Sequence, residues 1–236
     1  MRHERTIQPV RMTLRHTFDF GSDRSAIGSD LVRPEAWDAV RETSGPFGLP
    51  ARRSDWERAA AQPELVRRAR DIVAVSASLS AGSLCSHGAG TGALELNIHL
   101  AAPTLALMCT DYAPRTTERL RRLFPEATVI THDLRRDQPP QADLHLMHRI
   151  DTELDTSTWR RVYPRFTTPI LVVPVLLLGF DRVVKELGLR VLRPSATRAG
   201  WVRTEDALRA LWSDTHEDEA VRIGGQRSFV LRRRSA

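Results

Sequence analysis

Lysine is nearly missing from this chain of 236 residues: Lys185 is the only one among 35 basic residues, so the net charge of +6 rests on arginine. The arginines are scattered, with no basic run longer than Arg232-Arg233-Arg234. A surface that tracks phosphates needs clustered charge more than a high total, so the composition argues against a dedicated nucleic-acid binder and reads instead as the skew of a GC-rich genome. Cysteine is equally scarce. Cys85 and Cys109 support neither a disulfide framework nor a cysteine-based metal site, and both fall in predicted strands, where a buried thiol packs as a small apolar group. Long apolar runs are absent too: the longest, 169–178, is broken by Pro174 and stops at Gly179, which excludes a bilayer-spanning helix there. Around Arg2, His3, Glu4, Arg5 and Arg11 there is no apolar stretch of the kind a secretion signal needs, and a cytoplasmic protein is expected.

What is present is enough chain for a full α/β core. Residues 1–62 read as an irregular extension, rich in turn signals (Phe20-Gly21-Ser22-Asp23, Thr43-Ser44-Gly45-Pro46, Gly48-Leu49-Pro50) and holding two short helices at 34–42 and 54–61,. Across 63–79, Leu65, Val66, Ala69, Ile72 and Val73 recur at helical spacing,. Beyond that, strand-like and helix-like pieces alternate through 63–236. Strands are predicted at 83–86, 105–110, 128–131, 143–148, 170–178, 189–194 and 228–232, and helices at 92–101 and 114–124. An insertion at 195–227 is predicted to carry a helix at 205–212. The alternation predicts a doubly wound, mostly parallel seven-stranded sheet with helices on both faces.

The most informative stretch is Ser83-Leu84-Cys85-Ser86-His87-Gly88-Ala89-Gly90-Thr91-Gly92-Ala93-Leu94-Glu95. It reads as strand, glycine turn and helix. Glycine lets the backbone approach a ligand without a Cβ in the way, and the unpaired N–H groups of a helix start favour electron-rich ligand atoms. Asp111 ends the next strand. A carboxylate there can accept hydrogen bonds from both hydroxyls of a ribose whose ligand rests on the glycine turn; its plainer role would be to cap the helix starting near Pro114. Asp133, in His132-Asp133-Leu134, follows the third strand, where a turn aspartate is the plain alternative. All three positions gather at the carboxyl edge of the sheet, where open α/β folds bind ligands.

Glycines at 88, 90 and 92 followed by Asp111 and Asp133 resemble the class I S-adenosylmethionine-dependent methyltransferases. The resemblance spans about residues 65–235 and includes the tail Gly224-Gly225-Gln226-Arg227-Ser228-Phe229-Val230-Leu231-Arg232, which is similar to the family's reversed final strand. It implies S-adenosylmethionine as cofactor, seated on Ser86, Gly88, Gly90, Gly92, Asp111, Asp133, Leu134 and His148. The family usually has Asp or Glu where this chain has Ser86, which leaves three readings open: weaker binding, an acid supplied from elsewhere, or lost activity. His87 stands where a small or apolar residue is usual. Gly88, Gly90 and Ala93 also satisfy the dinucleotide pattern, but that template leaves Gly92 unexplained and belongs nearer a chain's start.

Family catalytic residues tend to follow the fourth strand, here Met147-His148-Arg149-Ile150-Asp151-Thr152-Glu153. His148 is the first candidate for a base, since imidazole titrates near neutrality, with lining of the cofactor pocket as its other role. Asp151 and Glu153 are expected to be solvated loop charges. His145 and His148 should face opposite ways on one strand, so no metal centre is expected from that pair. Trp37, Phe47 and Trp56 in the extension, with Trp201 and Trp212 in the insertion, either cover a flat acceptor or pin these segments to the core. The expected acceptor is a small molecule. The alternatives are an RNA methyltransferase, whose binding would fall steeply with salt, and a non-catalytic partner subunit keeping the fold alone.

Overall fold

The computed structural model describes residues 11–17, 33–43, 47–192 and 198–235; the turn signal at Phe20-Gly21-Ser22-Asp23 and part of that at Thr43-Ser44-Gly45-Pro46 lie outside them. In chain order the elements are β1 (Thr13–Thr17), α1 (Pro34–Glu42), α2 (Arg53–Ala60), α3 (Pro63–Ser78), β2 (Ser83–His87), α4 (Ala93–Ala101), β3 (Ala106–Asp111), α5 (Pro114–Leu123) and β4 (Thr128–Thr131). There follow β5 (Leu144–His148), α6 (Thr156–Val162), a 3₁₀ turn (Tyr163–Arg165), β6 (Ile170–Val173), α7 (Phe180–Leu192), β7 (Arg198–Arg203), α8 (Glu205–Arg209), β8 (His216–Ile223) and β9 (Gln226–Arg233).

Seven strands form one sheet in the order β4-β3-β2-β5-β6-β9-β8. β4, β3, β2, β5 and β6 pair parallel, and β9 runs antiparallel to both neighbours. This is the doubly wound sheet with a reversed last strand. β8 and β9 form a hairpin closed by Gly224 and Gly225, both at positive φ, as a two-residue turn matching the strands' twist requires,.

Three predicted elements are corrected. Segment 189–194, read as a strand, instead ends helix α7 within its described part: Phe180, Val184, Leu187 and Val191 recur at helical spacing, a period outweighing the β-branched run,. The predicted strand 170–178 stops at Val173, because Pro174 has no N–H to give the ladder,. The predicted insertion 195–227 contains β8, an edge strand whose run of charged residues hid it, and β7, which pairs with β1 in a separate two-stranded ribbon,.

The core has two parts, one on each face of the sheet. Ile72 of α3, Leu94, Leu96 and Ile98 of α4 and Leu120 and Leu123 of α5 close over Leu84, Leu107, Leu144, Leu146 and Leu171. On the other face Trp159, Val162, Tyr163, Phe166, Leu208 and Trp212 pack on Met147, Ile170, Val172 and Phe229. The extension is fastened to the first face. Trp56 is fully buried and donates its indole N–H to the Thr91 carbonyl at 2.7 Å, and Asn97 donates to the Ala60 carbonyl at 2.9 Å. Trp56 thus pins the extension, and Trp212 belongs to the core.

Candidate active site

β2 ends at the carboxyl edge, and the chain must turn at once into α4. Gly88, Gly90 and Gly92 have φ of +65°, +58° and +68°, a region costly for any residue with a Cβ. Contacts add to that constraint. A Cβ would fall 2.6 Å from Ile150 Cγ2 at Gly88, 2.5 Å from Arg41 Nη2 at Gly90 and 2.5 Å from Leu120 Cδ1 at Gly92.

Asp111 holds this turn in shape. One carboxylate oxygen accepts the Gly90 N–H at 3.0 Å, the other the Ala113 N–H at 2.9 Å. It therefore fixes the turn that leads into α5 and braces the glycine turn together, with further lone pairs left on each oxygen. Its pKa is raised by burial, against the pull of the Ala113 N–H, Arg41 and the Gly90 N–H. The acid absent at position 86 has a counterpart on α4: Ser86 donates to Glu95 at 2.6 Å. Glu95 is buried, and burial pushes its carboxyl up to about 7.

A cleft open to solvent lies against the turn, lined by Gly88, Thr110, Tyr112, His132, Asp133, Leu134, Arg135, Ile150, Glu153, Leu154 and Trp159. Of the sequence candidates it brings together Gly88, Asp133 and Leu134. Gly90, Gly92, Asp111 and Ser86 stand behind that lining, shaping the turn. Asp133 is held by Arg135, whose guanidinium donates to both of its oxygens at 2.7–3.1 Å. Burial opposes ionisation there, but the Arg135 hydrogen bonds win and keep the carboxyl below its ordinary value.

His148 is placed elsewhere. It is not among the cleft's lining residues, and its Nε2 accepts from Arg68 Nη1 at 3.0 Å. Burial, then repulsion from Arg68 and Arg149, pushes its pKa down to about 3. The lone pair a base would use is already committed.

Asp151 and Glu153 are a second correction, for neither is a solvated loop charge. Asp151 is buried, accepts the Val175 N–H at 2.7 Å, and is pushed up to about 6 by burial. Arg203, buried beneath, donates to the Asp151 and Leu154 carbonyls at 2.6 and 2.8 Å and so fixes the loop between them. Glu153 is half-buried in the cleft wall. Burial and the nearby Asp111 charge push its carboxyl up to about 8, opposed by a Trp37 hydrogen bond and the Arg41 charge.

Trp37 and Arg41 come from α1. The Arg41 guanidinium lies beside Gly90, 5.0 Å over the Trp37 ring, and donates to the Phe47 carbonyl at 2.7 Å. Asp38, on the same helix, accepts the Thr116 N–H and hydroxyl at 2.8 and 2.9 Å, capping α5 from outside,. Of these, Arg41 was not a sequence candidate. A signal was present in the one-turn spacing of Trp37 and Arg41 (i, i+4), which puts both on one helix face.

No protein-family model matches the sequence, and no curated protein matches it. The fold is nevertheless shared with solved structures. The chain is similar to human N-acetylserotonin methyltransferase in complex with S-adenosylmethionine, at 17% identity and a TM-score of 0.59 over 84% of this chain and 59% of that one. It is also similar to PigF bound to S-adenosylhomocysteine, at 18% identity and 0.61 over 91% and 64%. The mitomycin 7-O-methyltransferase MmcR gives 16% and 0.56 over 91% and 76%. The chain thus has the class I methyltransferase fold and spans less than two thirds of the first two.

Proposed function

We propose that this chain is an S-adenosylmethionine-dependent methyltransferase acting on a hydroxyl of a small-molecule acceptor, and that it works in the cytoplasm. The observation that carries the reading is the trio of positive-φ glycines between β2 and α4, set against a cleft walled by Tyr112, Leu134 and Glu153. The fold neighbours, which include small-molecule O-methyltransferases, support it. The two buried free cysteines suit a reducing compartment,.

The residues present fit the cofactor. Gly88, Gly90 and Gly92 hold a tight turn whose Cβ positions are taken by Ile150, Arg41 and Leu120, and of the three Gly88 faces the cleft. Tyr112, Leu134, Ile150 and Leu154 offer apolar surface for a flat ring, and Asp133 an acceptor beside it. Asp111 retains lone pairs for a ribose, and Ser86 with Glu95 supports the turn from beneath. Arg41 beside the turn supplies a positive charge for the carboxylate of an amino-acid moiety. When bound, S-adenosylmethionine supplies an electrophilic methyl on a sulfonium. The chain's own part is to hold the acceptor in line, exclude water and take the hydroxyl proton. Glu153 Oε is the group placed for that proton, with a pKa raised to about 8 matching an acidic hydroxyl more closely than an ordinary carboxylate would,. His148 then serves to position β5 and Arg68 behind the site.

Calorimetric titration with S-adenosylmethionine, S-adenosylhomocysteine, NAD and NADP tests the reading. Binding of the first pair alone is expected, followed by methylation of a panel of phenols and flavonoids. Binding of NAD or NADP alone, or of none of the four, overturns it.

A further inference from the structure

Strand alternation separates His145 from His148, and it also does something sequence spacing did not suggest. Cys85 and His87, two apart on β2, share one face, and the parallel register sets His145 of β5 beside Cys85,. The Cys85 Sγ and one ring nitrogen of each histidine all lie within 4.8 Å of one another. All three side chains are buried, at 0%, 1% and 2% exposure. His87 Nε2 and His145 Nδ1 are 3.0 Å apart, a contact that can hold only one proton between two neutral rings,.

The surroundings fix the orientation of these donors. His87 Nδ1 meets the Thr110 hydroxyl at 3.2 Å, which leaves Nε2 as the lone-pair nitrogen when Nδ1 carries the proton. A metal-ligating histidine has this kind of outer partner. Phe166 stands edge-on to both rings, with centroids at 5.5 and 4.7 Å, and closes the pocket with apolar surface. A third buried imidazole with an open lone pair lies nearby. His132 is 93% buried, given its 7% exposure, and its ring lies 5.7 Å from that of His87. Its Nε2 is turned to the Gln138 carbonyl at 3.0 Å, so the proton sits there, and its Nδ1 lone pair is buried with no partner.

We propose that Cys85, His87 and His145 form a binding site for one thiophilic transition-metal ion, Zn²⁺. One thiolate with imidazoles is a donor set for zinc and not for Mg²⁺ or Ca²⁺, which take oxygen. The ion replaces the proton shared by the two rings and ties β2 to β5 beneath the cleft. His132 lines the cleft and its ring lies 5.7 Å from that of His87, so the ion would sit one side chain away from the bound ligand. The site is independent of the methyltransferase reading and stands or falls without it.

The full chain, stripped of metal with a chelator and titrated with Co²⁺, tests the site. One equivalent is expected to bind, with visible bands of tetrahedral cobalt and a thiolate charge-transfer band in the near ultraviolet, both displaced by Zn²⁺. Cys85→Ser should lose the charge-transfer band and His145→Leu should bind at least 10-fold more weakly. Thr110→Val should weaken binding about 10-fold through His87 orientation alone. Cys109→Ser, on the opposite face beside Ser86, should behave as wild type. If Cys85→Ser does not fold, zinc-edge absorption of the wild-type protein decides: one sulfur at about 2.3 Å with nitrogens at about 2.0–2.1 Å is expected. No cobalt uptake by folded protein, a charge-transfer band that survives Cys85→Ser, or a zinc shell without sulfur overturns the proposal.

Discussion

On the face covered by α3, α4 and α5, the central strands present Leu84, Leu107, Leu144 and Leu146 to Leu94, Ile98 and Leu120. On the other face the same strands present Cys85, His87, Thr110 and His145, with Phe166 laid edge-on against the rings. The first face has few polar contacts, among them Ser86 with Glu95 and, toward the carboxyl edge, His148 with Arg68. The second has imidazoles where packing alone would favour Leu or Val. Burying apolar area stabilises each face without direction, whereas buried imidazoles need partners at set distances. The lesson is that at the central strands apolar packing dominates the first face and directional polar contacts the second, with the glycine turn at the edge they share.

The sharpest way to break this contrast is on the first face. Leu84→Ala should cost about 3 kcal/mol, read by chemical denaturation. Cofactor affinity of the folded fraction should be unchanged, and a loss of affinity exceeding the loss of stability would erase the division of labour. At the shared edge, Gly90→Ala places a Cβ at φ +58° against Arg41. Calorimetry should show S-adenosylmethionine affinity about 5- to 30-fold lower, from about 1–2 kcal/mol of local strain. Asp38→Ala removes the external cap of α5 and should cost about 1 kcal/mol in stability.

The next prediction concerns pH. Glu153 is raised to about 8, Glu95 to about 7 and Asp151 to about 6. Between an unfolded carboxylate value of about 4.3 and these values the folded chain holds more protons than the unfolded one, so stability should fall as pH rises from about 5 to 8. Glu153→Gln should flatten that fall and, at pH 9, melt about 2–4 °C above wild type in a thermal scan. A base role for Glu153 predicts that the same variant loses methyl transfer by about 100-fold or more while still binding cofactor. The smallest effect is a control on the exposed surface. Glu57→Ala breaks its ion pair with Arg53 and should change stability by less than about 0.5 kcal/mol,.

The sheet and the glycine turn were legible in the sequence because both are local. β2, β3 and β4 alternate with α4 and α5 at short range, and a turn needing positive φ advertises itself as glycine. β8 was not legible, since His216-Glu217-Asp218-Glu219 at a sheet edge follows solvent alternation and carries little apolar signal,. The walls of the site were hidden for a different reason. Glu153 meets Trp37 and Arg41 across more than 110 residues, and only the docking of α1 on α5 through Asp38 and Thr116 brings them together. His148 shows the limit of reading a role from strand position. It emerges from β5 as expected, but Arg68 of α3 meets it there and takes its lone pair.

Asp111 also bears on how the site can be transplanted. By accepting the Gly90 and Ala113 N–H groups with its two oxygens, this one side chain makes the first and second strand-to-helix junctions a single mechanical unit. An engineer who grafted residues 83–95 into another sheet would carry over the letters of the turn and not its curvature; the smallest portable piece of this site is two junctions with the carboxylate between them.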